Sequence, residues 1–120
     1  MSNLQSYFIA GPENLLPNHI YKSEKPNNAL VRIVSELAEN GLDVFQLRAK
    51  SMNDNEIIDL IKDLRSATSN TRMKLCINDN VKVASKCKGL IDILHLGQSD
   101  MKPNDAKKII DQNIRIGLSI

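Results

Sequence analysis

An α/β fold, with a parallel sheet and helices packed over it, is what the sequence predicts. Two observations carry that expectation. Short apolar runs alternate with helical stretches four times, and a fifth apolar run follows. Such alternation is the mark of parallel strands joined by crossover helices. No composition break or linker interrupts the order, so the 120 residues read as a single domain.

The first strand is expected over residues 4–10, with aromatics at Tyr7 and Phe8 and Gly11-Pro12 to end it. A long polar loop with Pro17 and Pro26 runs to about Asn28. A helix is expected over 29–40, where Leu30, Ile33, Val34, Leu37 and Ala38 fall on one face. Gly41 sits where a left-handed residue closes a helix. The second strand is 44–48. Asn53 caps the next helix, and Glu56 three residues on completes a capping box. Ile57, Ile58, Ile61 and Leu64 form its apolar stripe.

The third strand is expected over 73–77 and a short helix over 81–86. The fourth strand is 90–96. Pro103 suits the first turn of a fourth helix whose apolar side is Ala106, Ile109 and Ile110. A fifth strand begins at 114 and runs to 120. Aromatic residues make up only 3% of the chain, so Leu, Ile and Val must build its core.

Composition narrows the function. A net charge of +2, with both signs interspersed, gives no argument for nucleic acid or a membrane surface. No apolar run approaches the roughly 20 residues of a membrane span. No basic segment followed by a long apolar stretch marks a signal peptide. Cys76 and Cys87 have neither Cys-x-x-Cys nor zinc spacing, and they read as reduced, partly buried thiols of a cytoplasmic protein.

The chemistry sits at the ends of the strands. In Phe45-Gln46-Leu47-Arg48-Ala49-Lys50 the even positions are polar and share one face. In an antiparallel sheet that would be an ordinary solvated face. Parallel strands of this class are covered on both sides, so here the polar residues must line a cavity. Two cations on one face then suggest an anion, and a phosphate above all.

The third strand ends in Asn78-Asp79-Asn80, which suits either helix capping or a ligand site. The fourth breaks at Gly97 and ends in Gln98-Ser99-Asp100, and the fifth reaches Gly117-Leu118-Ser119. Ligands of parallel α/β folds bind at this edge. Asp79 and Asp100 would face one mouth from adjacent strands. Mg²⁺ is commonly held by one or two carboxylates plus substrate phosphates, so the set reads as a magnesium–diphosphate site. His95 suits either a hydrogen-bonded core position or a ligand contact. His19 carries no signal, and no nucleophile–base pair is evident.

These motifs, in this order, resemble thiamine-phosphate synthase and the related thiazole tautomerase branch of the same fold. The resemblance rests on Tyr7-Phe8-Ile9, Gln46-Leu47-Arg48-Ala49-Lys50, Ile77-Asn78-Asp79, His95-Leu96-Gly97-Gln98-Ser99-Asp100 and Gly117-Leu118-Ser119. It implies a (βα)₈ TIM barrel, of which the chain would hold about four βα units and a fifth strand. It implies transfer of the hydroxymethylpyrimidine group from its diphosphate to thiazole phosphate, giving thiamine phosphate and pyrophosphate. Carried over by position, Arg48 and Lys50 would hold the diphosphate, with Asn78 and Ser119 assisting. Asp79 and Asp100 would bind Mg²⁺, and Gln46 and His95 would face the pyrimidine.

The sequence departs from the family pattern in three places. A barrel of this kind needs about 200 residues, so residues 1–120 are expected to be a domain truncated at its C-terminus, without the later lysine-bearing strand end and the glycine-rich loops for thiazole phosphate. Ile93 stands where the family has a small glycine, and the 88–91 approach is longer. Ala10-Gly11-Pro12 replaces a Thr-Asp pair. Two alternatives to the synthase remain: a thiazole tautomerase-like protein, and a non-catalytic half-barrel that self-associates through its open sheet edges.

Overall fold

Five parallel strands pair strictly in chain order in the computed structural model, which describes residues 5–97 and 101–118. They are β1 (Tyr7–Ala10), β2 (Val44–Leu47), β3 (Lys74–Asn78), β4 (Ile93–Leu96) and β5 (Arg115–Leu118). Between them lie α1 (Pro26–Glu39), α2 (Asp54–Thr68), α3 (Val81–Lys86) and α4 (Pro103–Lys107). Two 3-10 turns, Pro12–Asn14 and Pro17–His19, organise the long loop after β1.

Because the order never reverses, every right-handed crossover returns on the same side of the sheet. All the helices therefore cover one face. The register fixes which side chains they meet. Phe8, Phe45 and Leu75 form one row, and Ala10, Leu47, Ile77, Leu94 and Ile116 form the next. Phe45, Leu75 and Leu94 are fully buried and join Leu30, Val34, Leu60, Ile61 and Leu64 in one core. Each such side chain contributes on the order of 1.5–3 kcal/mol by leaving water.

Among the described residues no helix covers the opposite face, contrary to the expectation that helices enclose both sides. Tyr7 and Ile9 project there and are 49% and 50% exposed. A singly wound sheet has no helix to place on that face. Two of its polar positions, Gln46 and Asn78, are brought together by the register rather than by enclosure.

The element bounds differ from the sequence reading for local reasons. The first helix starts at Pro26 rather than 29, because proline needs no N–H partner in the first turn. It closes as expected in a Schellman motif: Gly41, at φ 99°, donates to Ala38 O, and Leu42 N–H reaches Leu37 O at 2.9 Å. Its buried stripe is Leu30, Val34 and Ala38, whereas Leu37 is exposed. In the second helix Leu60 takes the buried place expected of Ile58, which lies one residue off the 57–61–64 stripe.

Strand β4 begins at Ile93 rather than 90. Gly89, at φ 76°, and Leu90 N–H on Cys87 O (2.9 Å) make a turn of the preceding residues. Met73 precedes β3, which instead includes Asn78, and Arg48 lies one residue past β2. The first strand occupies Tyr7–Ala10 of the expected 4–10, and the fifth starts at Arg115. The fourth helix ends at Lys107, so Ala106 is its buried residue, while Ile110 is buried just past it and Ile109 is half-exposed.

At the N-terminal ends of the strands, Asp92 Oδ2 accepts from Leu75 N–H at 2.9 Å and pairs with Arg65 at 3.0 Å. That end of such folds serves stability. Cys76 and Cys87 are free and fully buried rather than partly so.

Candidate functional site

The uncovered face becomes a cleft toward the carboxyl ends of β1 to β4. Its floor is a chain of hydrogen bonds across three strands. The Tyr7 hydroxyl donates to Gln46 Oε1 at 2.8 Å, and Gln46 Nε2 donates to Asn78 Oδ1 at 3.1 Å. Gln46 is 4% exposed, so an amide with both ends engaged avoids the cost of burying unpaired polar atoms. Cys76 lies beneath, 3.8 Å from the Tyr7 oxygen, with its thiol on Ile77 O at 3.6 Å. Burial pushes this thiol up to about 11. Burial, aided by Cys76, pushes the Tyr7 phenol up to about 12. Both stay neutral at pH 7, so the floor is polar and uncharged, and Cys76 is no thiolate nucleophile.

The rim carries the charge. Arg48 and Lys50 follow β2 and are exposed at the cleft. Arg48 N–H donates to Ala10 O at 3.1 Å, extending the β1–β2 ladder one step past the strand. Among the described residues neither cation's side chain has an ion pair or hydrogen bond.

The Asn78-Asp79-Asn80 segment divides its duties. Asn80 alone is the cap of α3: its Oδ1 accepts Val83 N–H at 3.0 Å, and its Nδ2 donates to Asp54 at 2.9 Å. Asp79 turns the chain at φ 67°, a left-handed conformation that Asp tolerates better than most residues, and its N–H donates to His95 O at 2.8 Å. Asp79 lines the cleft. Strained backbone of this kind tends to gather at functional sites.

The cleft holds about 540 Å³, with His95 and Gly97 of the β4 end closing one side. A second cavity of about 540 Å³ shares Lys50, Asn78 and Asp79, and its far wall is the apolar group Met52, Ile57 and Val81. Each is of the size that takes a small-molecule ligand. The donors are of two kinds: cations suited to phosphate oxygens, and a hard carboxylate suited to Mg²⁺.

The structure brings Gln46, Arg48, Lys50, Asn78, Asp79 and His95 to one cleft. Asp100 and Ser119 lie outside the described residues. Two participants were not assigned a role from sequence. Tyr7 sits in a quoted motif, but its bond to Gln46 spans 39 residues. Glu13 reaches the Lys50 backbone across 37 residues, and no local pattern signals it.

A family model described as thiamine monophosphate synthase matches residues 18–120. The thiamine-phosphate synthase of Halalkalibacterium halodurans is 31% identical over 94 residues, 78% of this chain and 44% of the relative. That of Lactococcus lactis subsp. lactis is 28% identical over 121 aligned positions, 98% of this chain and 52% of the relative. That of Vibrio parahaemolyticus is 35% identical over 91 residues, 76% and 44% of the two chains. A solved structure, thiamine phosphate pyrophosphorylase from Pyrococcus furiosus, superposes with a TM-score of 0.72 at 27% identity. It covers 96% of this chain and 50% of that one. The chain thus spans about half the length of the relatives it matches.

Proposed function

The chain belongs to the thiamine monophosphate synthase family, and on that premise we propose that its cleft takes hydroxymethylpyrimidine diphosphate for the synthesis of thiamine phosphate. The observation that carries this reading is the meeting of Arg48, Lys50 and Asp79, from the ends of two adjacent strands, above the Gln46–Asn78 floor.

In the proposed reaction the C–O bond between the pyrimidine methylene and the diphosphate breaks. A bond from that carbon to the thiazole ring forms, and pyrophosphate leaves with the C–O electron pair. The barrier lies in charge gathering on the leaving oxygen. Arg48 and Lys50 stabilise that charge more than they stabilise the bound substrate. Asn78, with Ser119, adds hydrogen bonds to the diphosphate. Gln46, its amide oriented by Tyr7, faces the pyrimidine together with His95. Little acid–base chemistry is needed, which suits a floor that stays neutral.

The donor set also fits a magnesium ion. Asp79 is the carboxylate that lines the cleft, and the described residues contain no group of three or more His, Cys, Asp or Glu that would make a complete protein cage. That is the usual arrangement for Mg²⁺ completed by substrate phosphates. Asp79 and Asp100 would hold it. When bound, it would neutralise part of the diphosphate charge.

The test is titration with inorganic pyrophosphate and Mg²⁺, together with an assay for thiamine phosphate from both substrates. Arg48→Ala and Asp79→Asn are each expected to weaken pyrophosphate binding at least roughly tenfold, the scale of a lost charge-assisted contact. Unchanged binding in both variants would overturn the assignment.

A further inference from the structure

Glu13 belongs to none of the motifs that mark the cleft, yet both its carboxylate oxygens grip the segment that carries Lys50. Its Oε1 accepts Lys50 N–H at 3.2 Å, and its Oε2 accepts the Ser51 hydroxyl at 3.0 Å. Glu13 sits in the short Pro12–Asn14 turn, which is itself held: Pro12 presets its first residue, and Gly11 N–H donates to Asn14 Oδ1 at 2.7 Å. The turn also abuts Arg48. A Cβ on Gly11 would collide with the Arg48 carbonyl oxygen. One short turn of the first loop therefore touches residues 48, 50 and 51.

Glu13 is exposed. An exposed carboxylate adds little to overall stability, so its two bonds have small value as a fold clamp. Their effect is local. They fix the path of a backbone that would otherwise be a free loop end, and a loop ordered in advance loses less entropy when a ligand binds. We infer that Glu13 is a positioning residue: it holds the Lys50–Ser51 segment so that the Lys50 ammonium is set toward the cleft before an anionic, diphosphate-bearing ligand arrives. The inference rests on reading Arg48 and Lys50 as diphosphate ligands.

Two measurements on the full chain test it: titration with inorganic pyrophosphate and Mg²⁺, and amide hydrogen exchange at Lys50. Glu13→Ala is expected to weaken pyrophosphate roughly tenfold, the scale for losing a group that orients a ligand-binding residue. It should also speed exchange at Lys50 while leaving the melting temperature nearly unchanged. Glu13→Gln should restore both, because its amide oxygen still accepts from Lys50 N–H and its amide nitrogen can donate to Ser51. Ser51→Ala, which removes one of the two bonds, should fall between and keeps the test open should Glu13→Ala not fold. Wild-type exchange and affinity in Glu13→Ala would overturn the inference, as would a Glu13→Gln no better than Glu13→Ala. Arg48→Ala is the control for the underlying reading. If it binds pyrophosphate like wild type, or if the wild type does not bind, the diphosphate reading fails, and exchange at Lys50 still decides the role of Glu13.

Discussion

The Tyr7 hydroxyl lies 2.8 Å from Gln46 Oε1, and this single bond joins the edge strand to the buried amide at the centre of the cleft. It fixes which end of the Gln46 amide faces Asn78. Tyr7→Phe removes the donor and leaves a nearly buried amide oxygen without it. The expected cost is about 1 kcal/mol of stability, on the scale of one lost hydrogen bond. Affinity for the pyrimidine diphosphate should fall more than affinity for inorganic pyrophosphate. Paired titrations of wild type and variant check this, and equal losses for the two ligands would count against a role for Gln46 at the pyrimidine.

Gly11 is required by space rather than by backbone angle, since its φ of −129° is open to any residue. Its missing Cβ leaves room for the Arg48 carbonyl. Gly11→Ala must push the two loops apart, at a cost of about 1–3 kcal/mol by analogy with overpacked sites. Because the displaced residue is Arg48, pyrophosphate binding should weaken as well. Urea unfolding and titration of the same variant measure the two effects.

Stability should fall at alkaline pH, and Cys76 sets where. Its folded pKa is raised above the ordinary thiol value of 9.0 to about 11, because burial disfavours the thiolate. A raised pKa means that the folded state holds the proton more tightly than the unfolded state. The stabilisation is therefore complete below pH 9 and is lost as pH rises through 11. A shift of this size is worth on the order of 2 kcal/mol. Tyr7, raised to about 12, loses its smaller share at still higher pH. Urea midpoints measured across this range should decline for wild type and decline less for Cys76→Ala.

Asn53 caps α2 with both halves of the capping box formed. Its Oδ1 accepts Glu56 N–H at 2.9 Å, and Glu56 Oε1 accepts Asn53 N–H at 3.4 Å. Asn53→Ala should cost about 1 kcal/mol and leave ligand binding alone. Thermal unfolding beside a pyrophosphate titration tests both halves of that expectation.

Much of the fold was legible because its signals are local. Helical spacing marks α1 and α2, Asn53 and Gly41 mark their ends, and the expected 81–86 helix coincides with α3. Sequence and structure differ where an apolar residue serves a turn, as at Leu90, or falls beside a stripe, as at Leu37 and Ile58. Of the site, period-two alternation gave Gln46, Arg48 and Lys50, and polar residues at a strand end gave Asn78 and Asp79. That Asn80 rather than Asp79 does the capping was not legible, because either residue type suits a cap.

Local signals along the chain carry the order of elements, the parallel sheet, the residue types at the strand ends and the resemblance to the family. Periodicity, caps and turns act within a few residues, so a single chain displays them. The tertiary structure decided the rest. It shows that, among the described residues, every helix lies on one face of the sheet, since a strand order without reversal sends every right-handed crossover to the same side. It tied Tyr7 to Gln46 and Glu13 to the Lys50 segment, contacts 39 and 37 residues apart that no local pattern encodes. Register and loop packing create those contacts, and both exist only once the strands are paired.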